Sequence, residues 1–154
     1  MIPILKARHG DIAADLVSLA IETGMRQAEI LSVTWKHVDL ANRTLHIPET
    51  KNGHPRTIPL TSNALELLRR LNGTREGRVF QVTKPWLRFV WDKATKAAGA
   101  DNLHFHDLRH EATSRFFEKG LSIAEVALVS GHRDVRQLFR YTHLRAEVVA
   151  KKLG

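Results

Sequence analysis

The chain contains the stretch Gly131-His132-Arg133-Asp134-Val135-Arg136-Gln137-Leu138-Phe139-Arg140-Tyr141-Thr142-His143, and Tyr141 is its only tyrosine. Earlier in the sequence stand His106-Asp107-Leu108-Arg109-His110 and Thr23-Gly24-Met25-Arg26-Gln27-Ala28-Glu29. A phenol, two arginines and several histidines can together attack a phosphodiester without a metal. The phenol is a covalent nucleophile, the guanidiniums grip phosphoryl oxygens in a bidentate fork, and the imidazoles move protons. These residue types favour strand-transfer chemistry on DNA.

The composition is that of one globular domain. The chain has 154 residues, of which 43% are hydrophobic and 26% charged, which is enough for one core. No stretch approaches the ~18 apolar residues of a membrane span, and the start has no apolar secretory segment. Because the chain contains no cysteine, it has neither disulfides nor thiolate metal ligands. We therefore expect an intracellular, cytoplasmic protein without membrane contact.

The charge distribution favours a polyanionic partner. The net charge is +8 and the pI about 10.3. Residues 1–50 carry a net charge of −1, residues 51–93 of +6 and residues 94–154 of +3. Such an excess is typical of nucleic-acid binding, although a basic surface also serves solubility alone.

The first half of the chain predicts two helices followed by a β-hairpin. Apolar residues recur at helical spacing over residues 11–23, and Gly24 stands at the C-cap position. Residues 26–31 form a second, short helix. Residues 44–47 and 56–59 read as strands around an Asn52-Gly53 turn, and the surrounding prolines indicate an edge hairpin.

The second half predicts mainly helices. Val79-Phe80 adds a short strand. The helices run from a Thr61-Ser62-Asn63 cap to Asn72-Gly73, and over residues 84–99, 107–119, 122–129, 134–139 and 144–152. Their start and stop signals include proline in a first turn and a Ser122-Glu125 capping box. The predicted fold class is mainly α with a small antiparallel β-sheet (α+β).

Taken singly, the candidate residues have ordinary explanations. Arg26 begins a helix, where its guanidinium and free backbone N–H groups can bind an anion, but a surface pair with Glu29 or Glu22 would also account for it. Lys51 stands at the predicted turn, as solvated lysines often do. Tyr141 alone would most often be a core or surface aromatic residue.

The histidines near Arg109 allow more than one interpretation. His106, Arg109 and His110 share one helical face. Histidines four apart resemble a zinc-binding helix, but that pattern requires glutamate after the first histidine, and here Asp107 stands there. His110 is otherwise explained as a core histidine bonded to backbone.

Taken together, the motifs resemble those of the tyrosine recombinase family, also called the phage integrase family. Both their order and their spacing match. Thr23-Gly-Met-Arg26-Gln-Ala-Glu-Ile resembles its first arginine box, Thr50-Lys51-Asn-Gly-His-Pro-Arg-Thr-Ile-Pro-Leu its lysine hairpin, and His106-Asp-Leu-Arg109-His110 its second box. Gly131-His132 followed by Tyr141 resembles its third. The resemblance runs from about Asp11 to His143. Two departures are Leu138, where many members carry threonine, and Val129-Ser130 in place of the more usual leucine before Gly-His. We expect these to alter packing around the tyrosine helix without touching a reacting group.

The resemblance implies a tyrosine recombinase catalytic-domain fold and a chemistry. Tyr141 would attack the scissile phosphate and form a 3′-phosphotyrosyl bond, so that neither metal, cofactor nor ATP is needed. Since a free phenol has a pKa near ~10, a base or a cationic field must assist it. The implied roles are phosphate binding by Arg26 and Arg109, general-base or phosphate-binding work by His106, protonation of the leaving oxygen by Lys51, and a hydrogen bond to phosphate by His132.

The resemblance also implies partners and organisation. The partner would be double-stranded DNA, with a tetramer of protomers on synapsed DNA and a monomer when free. Residues 1–154 would form a single catalytic domain without the N-terminal core-binding domain of full-length members. The chain would be bacterial or phage-encoded, cytoplasmic and associated with the nucleoid.

Three alternatives stay open at the level of sequence. A type IB topoisomerase shares the chemistry but exchanges no strands; the Gly-His132 box and the compact size favour the recombinase. A non-catalytic DNA-binding regulator would need no nucleophile. A metal-dependent nuclease would use His104, His106 and His110, and cleavage in EDTA that leaves protein attached to DNA would separate it from a recombinase.

Overall fold

The structure, a computed structural model, describes residues 1–48, 54–71, 76–142 and 146–154. These residues form a mainly helical fold with one small antiparallel sheet, which confirms the predicted class. Two 3-10 helices cover Trp35–His37 and Val135–Tyr141, and the strands are β1 (Val38–Asp39), β2 (Thr44–Ile47) and β3 (Arg56–Pro59). The α-helices are α1 (Ile2–Thr23), α2 (Gln27–Ser32), α3 (Ser62–Leu71), α4 (Lys84–Ala97), α5 (Asp107–Glu118), α6 (Ile123–Ser130) and α7 (Ala146–Leu153). Among the described helices, none combines the length and the apolar character needed to cross a bilayer.

Helix α1 is the centre of the helical packing. It lies against α3, α4 and α5, and Leu16 and Leu19 on its inner face are fully buried. Gly10, at φ 79°, kinks the helix. The helical residues before this kink were not predicted, because the apolar periodicity begins only after it. The helix ends at Gly24 in the left-handed conformation, as predicted.

The three strands form one sheet in the order β1-β2-β3. Strands β2 and β3 have the predicted bounds and pair antiparallel, with buried Leu45 opposite buried Ile58. Strand β3 lies at an edge, which fits its prolines because proline cannot donate to a sheet ladder. The predicted Asn52-Gly53 turn lies outside the described residues.

The later helices largely match their sequence signals. Thr61 and Thr83 accept backbone N–H groups at the starts of α3 and α4, and the Ser122-Glu125 capping box is formed. The predicted strand at Val79-Phe80 is wrong, since this segment makes only an isolated bridge through Arg78 and a backbone bond from Val79 to Val33. The helix predicted over residues 134–139 is a 3-10 helix that continues to Tyr141.

Candidate active site

Arg109 is the buried centre of the candidate site. It lies in the first turn of α5, and its Nη1 donates to the carbonyl oxygen of Gly24 at 2.7 Å, where α1 ends. Its Nη2 lies 3.5 Å from Nδ1 of His132. Burial, followed by the positive charge of Arg26, lowers the pKa of Arg109 to about 10, so the guanidinium remains charged at neutral pH. The structure thus brings the three sequence boxes together around one guanidinium.

Arg26 occupies the N-cap of α2 and forms a capping box with Glu29. Its backbone N–H donates to Glu29 Oε2 at 2.8 Å and its Nη1 to Oε1 at 3.1 Å. The pairing with Glu29 considered from the sequence does occur, but Glu29 is a buried residue and not a surface partner. The charge of Arg26 also helps to lower the pKa values of His106, Arg109 and His132, so Arg26 belongs to the same cationic cluster.

Arg56 in β3 has a buried side chain, and sequence analysis missed its role. Its Nη1 and Nη2 donate to Glu29 Oε1 and Oε2 at 2.8 and 3.0 Å, and its Nε donates to the carbonyl oxygen of Val129 at 3.2 Å. Arg56 therefore ties the start of α2 to the end of α6. Burial alone raises the pKa of Glu29, but the hydrogen bonds from Arg56 and Arg26 and their charges outweigh it and hold that pKa below its usual value.

Gly131 leaves the space that Arg56 occupies. It ends α6 in the left-handed conformation at φ 72°, which favours glycine. A Cβ atom at this position would lie 2.7 Å from Cζ of Arg56, closer than packed atoms allow. Both the backbone angle and the guanidinium therefore require glycine before His132.

His132 is held neutral by its surroundings. Burial, followed by the charges of Arg109 and Arg26, lowers its pKa to about 4. Its Nδ1 faces Arg109 Nη2 and lies 2.7 Å from Ser130 Oγ. The Ser130 hydroxyl group itself donates to the carbonyl oxygen of Val126 at 2.6 Å, so the end of α6 holds the imidazole in place. The expectation that Ser130 touches no reacting group is wrong, since its hydroxyl contacts a candidate catalytic imidazole.

The histidines of α5 separate into a pair and an outlier. The rings of His106 and His110 lie edge to face, with centroids 5.0 Å apart. Burial, followed by the neighbouring His110 and the positive charge of Arg109, lowers the pKa of His106. His104 is exposed and lies beside the carboxylate of Asp107. Within the described part of the chain, no three or more His, Asp or Glu side chains are grouped so as to hold a metal ion.

Tyr141 ends the second 3-10 helix with its hydroxyl group on His110. A hydrogen bond joins Tyr141 Oη to His110 Nδ1. The ring also stacks on Phe117, with centroids 6.5 Å apart. The interpretation of His110 as a core histidine bonded to backbone is therefore wrong: its imidazole faces the tyrosine.

Five of the six predicted site residues lie among the described residues, close to one another: Arg26, His106, Arg109, His132 and Tyr141. Lys51 lies outside the described residues. The segment that follows it reaches the site, because Nδ1 of His54 accepts a hydrogen bond from Arg133 Nε at 2.6 Å. A cleft of about 190 Å³ opens there, lined by Arg26, His54, His132 and Gln137 among others.

The sequence is similar to those of known proteins. Residues 10–147 match the model of the phage integrase family. The shufflon-specific DNA recombinase of Escherichia coli is 49% identical over 136 residues, which cover 88% of this chain and 35% of that protein. A putative integrase/recombinase of Haemophilus influenzae is 43% identical, with 75% of this chain and 32% of that protein covered. The chain thus spans about a third of the length of these two relatives.

Solved structures share the fold. The catalytic domain of bacteriophage HP1 integrase superposes with a TM-score of 0.73 at 23% identity, covering 99% of this chain and 89% of that one. The Tn1549 transposon integrase, in complex with circular intermediate DNA, gives a TM-score of 0.75 at 16% identity, covering 99% of this chain and 62% of that one. The predicted catalytic-domain fold is therefore confirmed.

Proposed function

This chain belongs to the phage integrase family, and on that premise we propose that it is the catalytic domain of a site-specific DNA recombinase. The domain cuts and rejoins DNA without metal or ATP. Tyr141 attacks the scissile phosphate, a 3′-phosphotyrosyl bond forms, and a 5′ hydroxyl group is released. Because this bond conserves the energy of the phosphodiester, the reverse reaction rejoins the strands.

One observation carries the proposal: the only phenol of the chain lies against an imidazole beside a cluster of two arginines and His132. Phosphodiester cleavage requires a nucleophile held near cations that are fixed before the reaction starts. Buried guanidiniums stabilise the charge of a pentavalent transition state most strongly where water is excluded. A protein that only binds DNA has no use for this combination.

Each residue takes one role in the reaction. Arg26 and Arg109 bind the non-bridging oxygens, and His132 adds a hydrogen bond to the phosphate. His106 serves as a base toward the tyrosine or helps to bind the phosphate. Lys51 protonates the leaving 5′ oxygen. The hydrogen bonds that fix Arg109 and Glu29 support this assignment, because they orient both guanidiniums before DNA arrives.

The proposed partner is double-stranded DNA. The net charge of +8 supports it, as does the Tn1549 transposon integrase, which shares the fold and was solved with DNA. We further propose that protomers are monomeric when free and assemble as a tetramer on synapsed DNA. The proposed location is the cytoplasm of a bacterial cell, at the nucleoid, with the gene of bacterial or phage origin.

Covalent capture of DNA tests the function. The chain is incubated in EDTA with a library of nicked duplexes of random sequence, denatured in detergent, and the DNA that stays attached is counted and sequenced. We expect wild-type adducts and none from Tyr141→Phe, since the chain has no second tyrosine. A wild-type protein that retains no DNA, or a Phe variant that retains as much, would contradict the proposal.

A further inference from the structure

The hydroxyl group of Tyr141 contacts a histidine to which the family resemblance gives no role. Besides the hydrogen bond from Tyr141 Oη to His110 Nδ1, the two rings stack with centroids 6.1 Å apart and planes 25° from parallel. Phe117 stacks on the same phenol. The nucleophilic oxygen is therefore held at an imidazole nitrogen by packing as well as by the hydrogen bond.

Arg140 indicates whether Tyr141 Oη or His110 Nδ1 carries the proton of their hydrogen bond. Its Nη2 lies 3.4 Å from Nδ1 of His110, and its guanidinium carbon lies 4.9 Å from the centre of the Tyr141 ring. A guanidinium can only donate hydrogen bonds. Nδ1 of His110 therefore presents its lone pair, and the tyrosine hydroxyl group donates to it. This is the arrangement of an acid and a base before proton transfer.

Resting on the proposed function, we propose that His110 is a catalytic residue, the general base that activates Tyr141. Its Nδ1 takes the phenolic proton while Tyr141 Oη forms its bond to phosphorus and the bond from phosphorus to the 5′ oxygen breaks. The 5′ oxygen takes its proton from the acid, which the proposed function assigns to Lys51. In rejoining, the 5′ hydroxyl group attacks phosphorus and returns its proton to the acid, the bond from phosphorus to Tyr141 Oη breaks, and the His110 imidazolium returns its proton to the phenolate.

Geometry favours His110 over His106 for this step. A general base must lie within hydrogen-bond reach of the proton that it removes, and His110 does so. His106 meets His110 edge to face and belongs to the cluster of Arg26 and Arg109. With His110 as the base, the open role of His106 becomes the binding of the phosphate.

The charges around His110 set the timing of the proton transfer. Arg140 faces it from the 3-10 helix, His106 and Arg109 lie on its own helix, and His132 approaches from the end of α6. A phosphate bound by these cations adds a negative charge near His110, and a nearby negative charge favours the protonated form of an imidazole. Proton transfer therefore becomes favourable when the negative phosphate has entered the cluster, which ties activation of the nucleophile to substrate binding.

The rate of adduct formation tests whether His110 takes the proton or only holds the ring. His110→Asn keeps an acceptor atom near the position of Nδ1 but cannot accept a proton at neutral pH. We expect this variant to slow single-turnover adduct formation by about 100-fold or more, as loss of a general base does. His110→Ala should slow the reaction to the same extent. His104→Asn is the control, because that side chain is 82% exposed beside Asp107; we expect its rate to stay within about twofold, since it takes no part in proton transfer.

The dependence of the rate on pH separates the two roles further. The wild-type rate should rise with pH and then level off once the imidazole is unprotonated, whereas the Asn variant should keep rising as solvent base replaces it. A variant with the wild-type rate and the wild-type profile would show that His110 only positions the tyrosine, and would overturn the proposal. Circular dichroism of each variant confirms that it is folded.

A second measurement needs neither DNA nor variants. Nitrogen-15 NMR of the free wild-type chain at neutral pH should show an unprotonated Nδ1 and a protonated Nε2 on His110. A proton on Nδ1 would overturn the inference whatever the enzyme does. If wild-type protein forms no adduct while the NMR result is as expected, the proposed function has failed and not the geometry of the base.

Discussion

The two halves of the candidate site are built differently. The anion-binding half is built on buried groups: Glu29 is 1% exposed, Arg109 4% and the side chain of Arg56 6%, while the side chain of Arg26 is 30% exposed. The nucleophile half is the short 3-10 helix Val135–Tyr141, in which Phe139 is 53% exposed. Of its seven residues, all described, Leu138 alone is buried.

This difference assigns different physical tasks to the two halves. Arginines that are held by buried hydrogen bonds need no reorganisation when charge develops on the phosphate. A 3-10 helix has weaker hydrogen-bond geometry than an α-helix, and this one is anchored by one core residue and the contacts of Tyr141. We infer that the cationic half is formed before DNA binds and that the tyrosine segment is the part that adjusts.

Removal of the Arg56 side chain should have the largest effect, a loss of stability in the anion-binding half. Arg56→Ala leaves Glu29 with only Arg26 as a cationic partner, so we expect the free energy of unfolding to fall by about 3–5 kcal/mol, as when a buried pair is broken. Arg115→Ala is the matched control, because Arg115 pairs with Glu111 at an exposed site and should cost less than about 1 kcal/mol. Urea denaturation measures both, and equal losses would contradict a rigid anion-binding half.

Arg109 should show the next largest effect, in catalysis. Arg109→Ala removes a preorganised donor, so we expect adduct formation to slow by about 100-fold or more, equivalent to about 2.7 kcal/mol of barrier. Arg109→Lys keeps the positive charge but not the bidentate guanidinium. Its rate should fall between those of the wild-type protein and Arg109→Ala. DNA binding, measured in parallel by fluorescence anisotropy, should weaken far less; a loss confined to binding would remove Arg109 from the chemistry.

The smallest expected effect is the dependence of stability on pH that comes from His132. Because the pKa of folded His132 is lowered to about 4, below the ~6.5 of an unfolded histidine, the unfolded chain binds a proton first on acidification. The stability that His132 contributes is complete above about pH 6.5 and is lost as the pH falls toward 4. Proton NMR should give a midpoint near 4 for its ring, and His132→Gln should flatten the stability profile in this window. A midpoint above 6 would mean that the cluster does not lower the pKa.

Local sequence signals gave most of the fold. The Gly24 and Gly131 caps, the Ser122-Glu125 capping box and the alternation of β2 and β3 depend on residues a few positions apart, so the helix and strand bounds could be predicted. The failures were a two-residue strand, a helical start before a kink, and a strand at Val79-Phe80 that has no ladder to join. The two-residue strand is too short for a periodic signal, and the helical start lacks apolar periodicity. A strand at Val79-Phe80 would need a partner strand, which local periodicity does not show.

The candidate residues lie close together as expected, but their contacts were not predicted. The spacing of the boxes identified Arg26, His106, Arg109, His132 and Tyr141, and the structure brings these together, with Lys51 outside the described residues. No local pattern indicated Arg56, whose partner Glu29 lies 27 positions away, or the bond between Ser130 and His132. His110 was taken for a core residue, because a helical face does not show which residue of a distant segment will meet it.

The sequence by itself thus determined the elements, the net charge and the set of reactive side chains, since these follow from residue type and local spacing. Only the tertiary structure decided the protonation of His132, the burial of Glu29 and Arg56, and the contact of Tyr141 with His110. Desolvation and hydrogen bonds between distant segments control these properties. They exist only when α2, β3, α5, α6 and the tyrosine segment pack together.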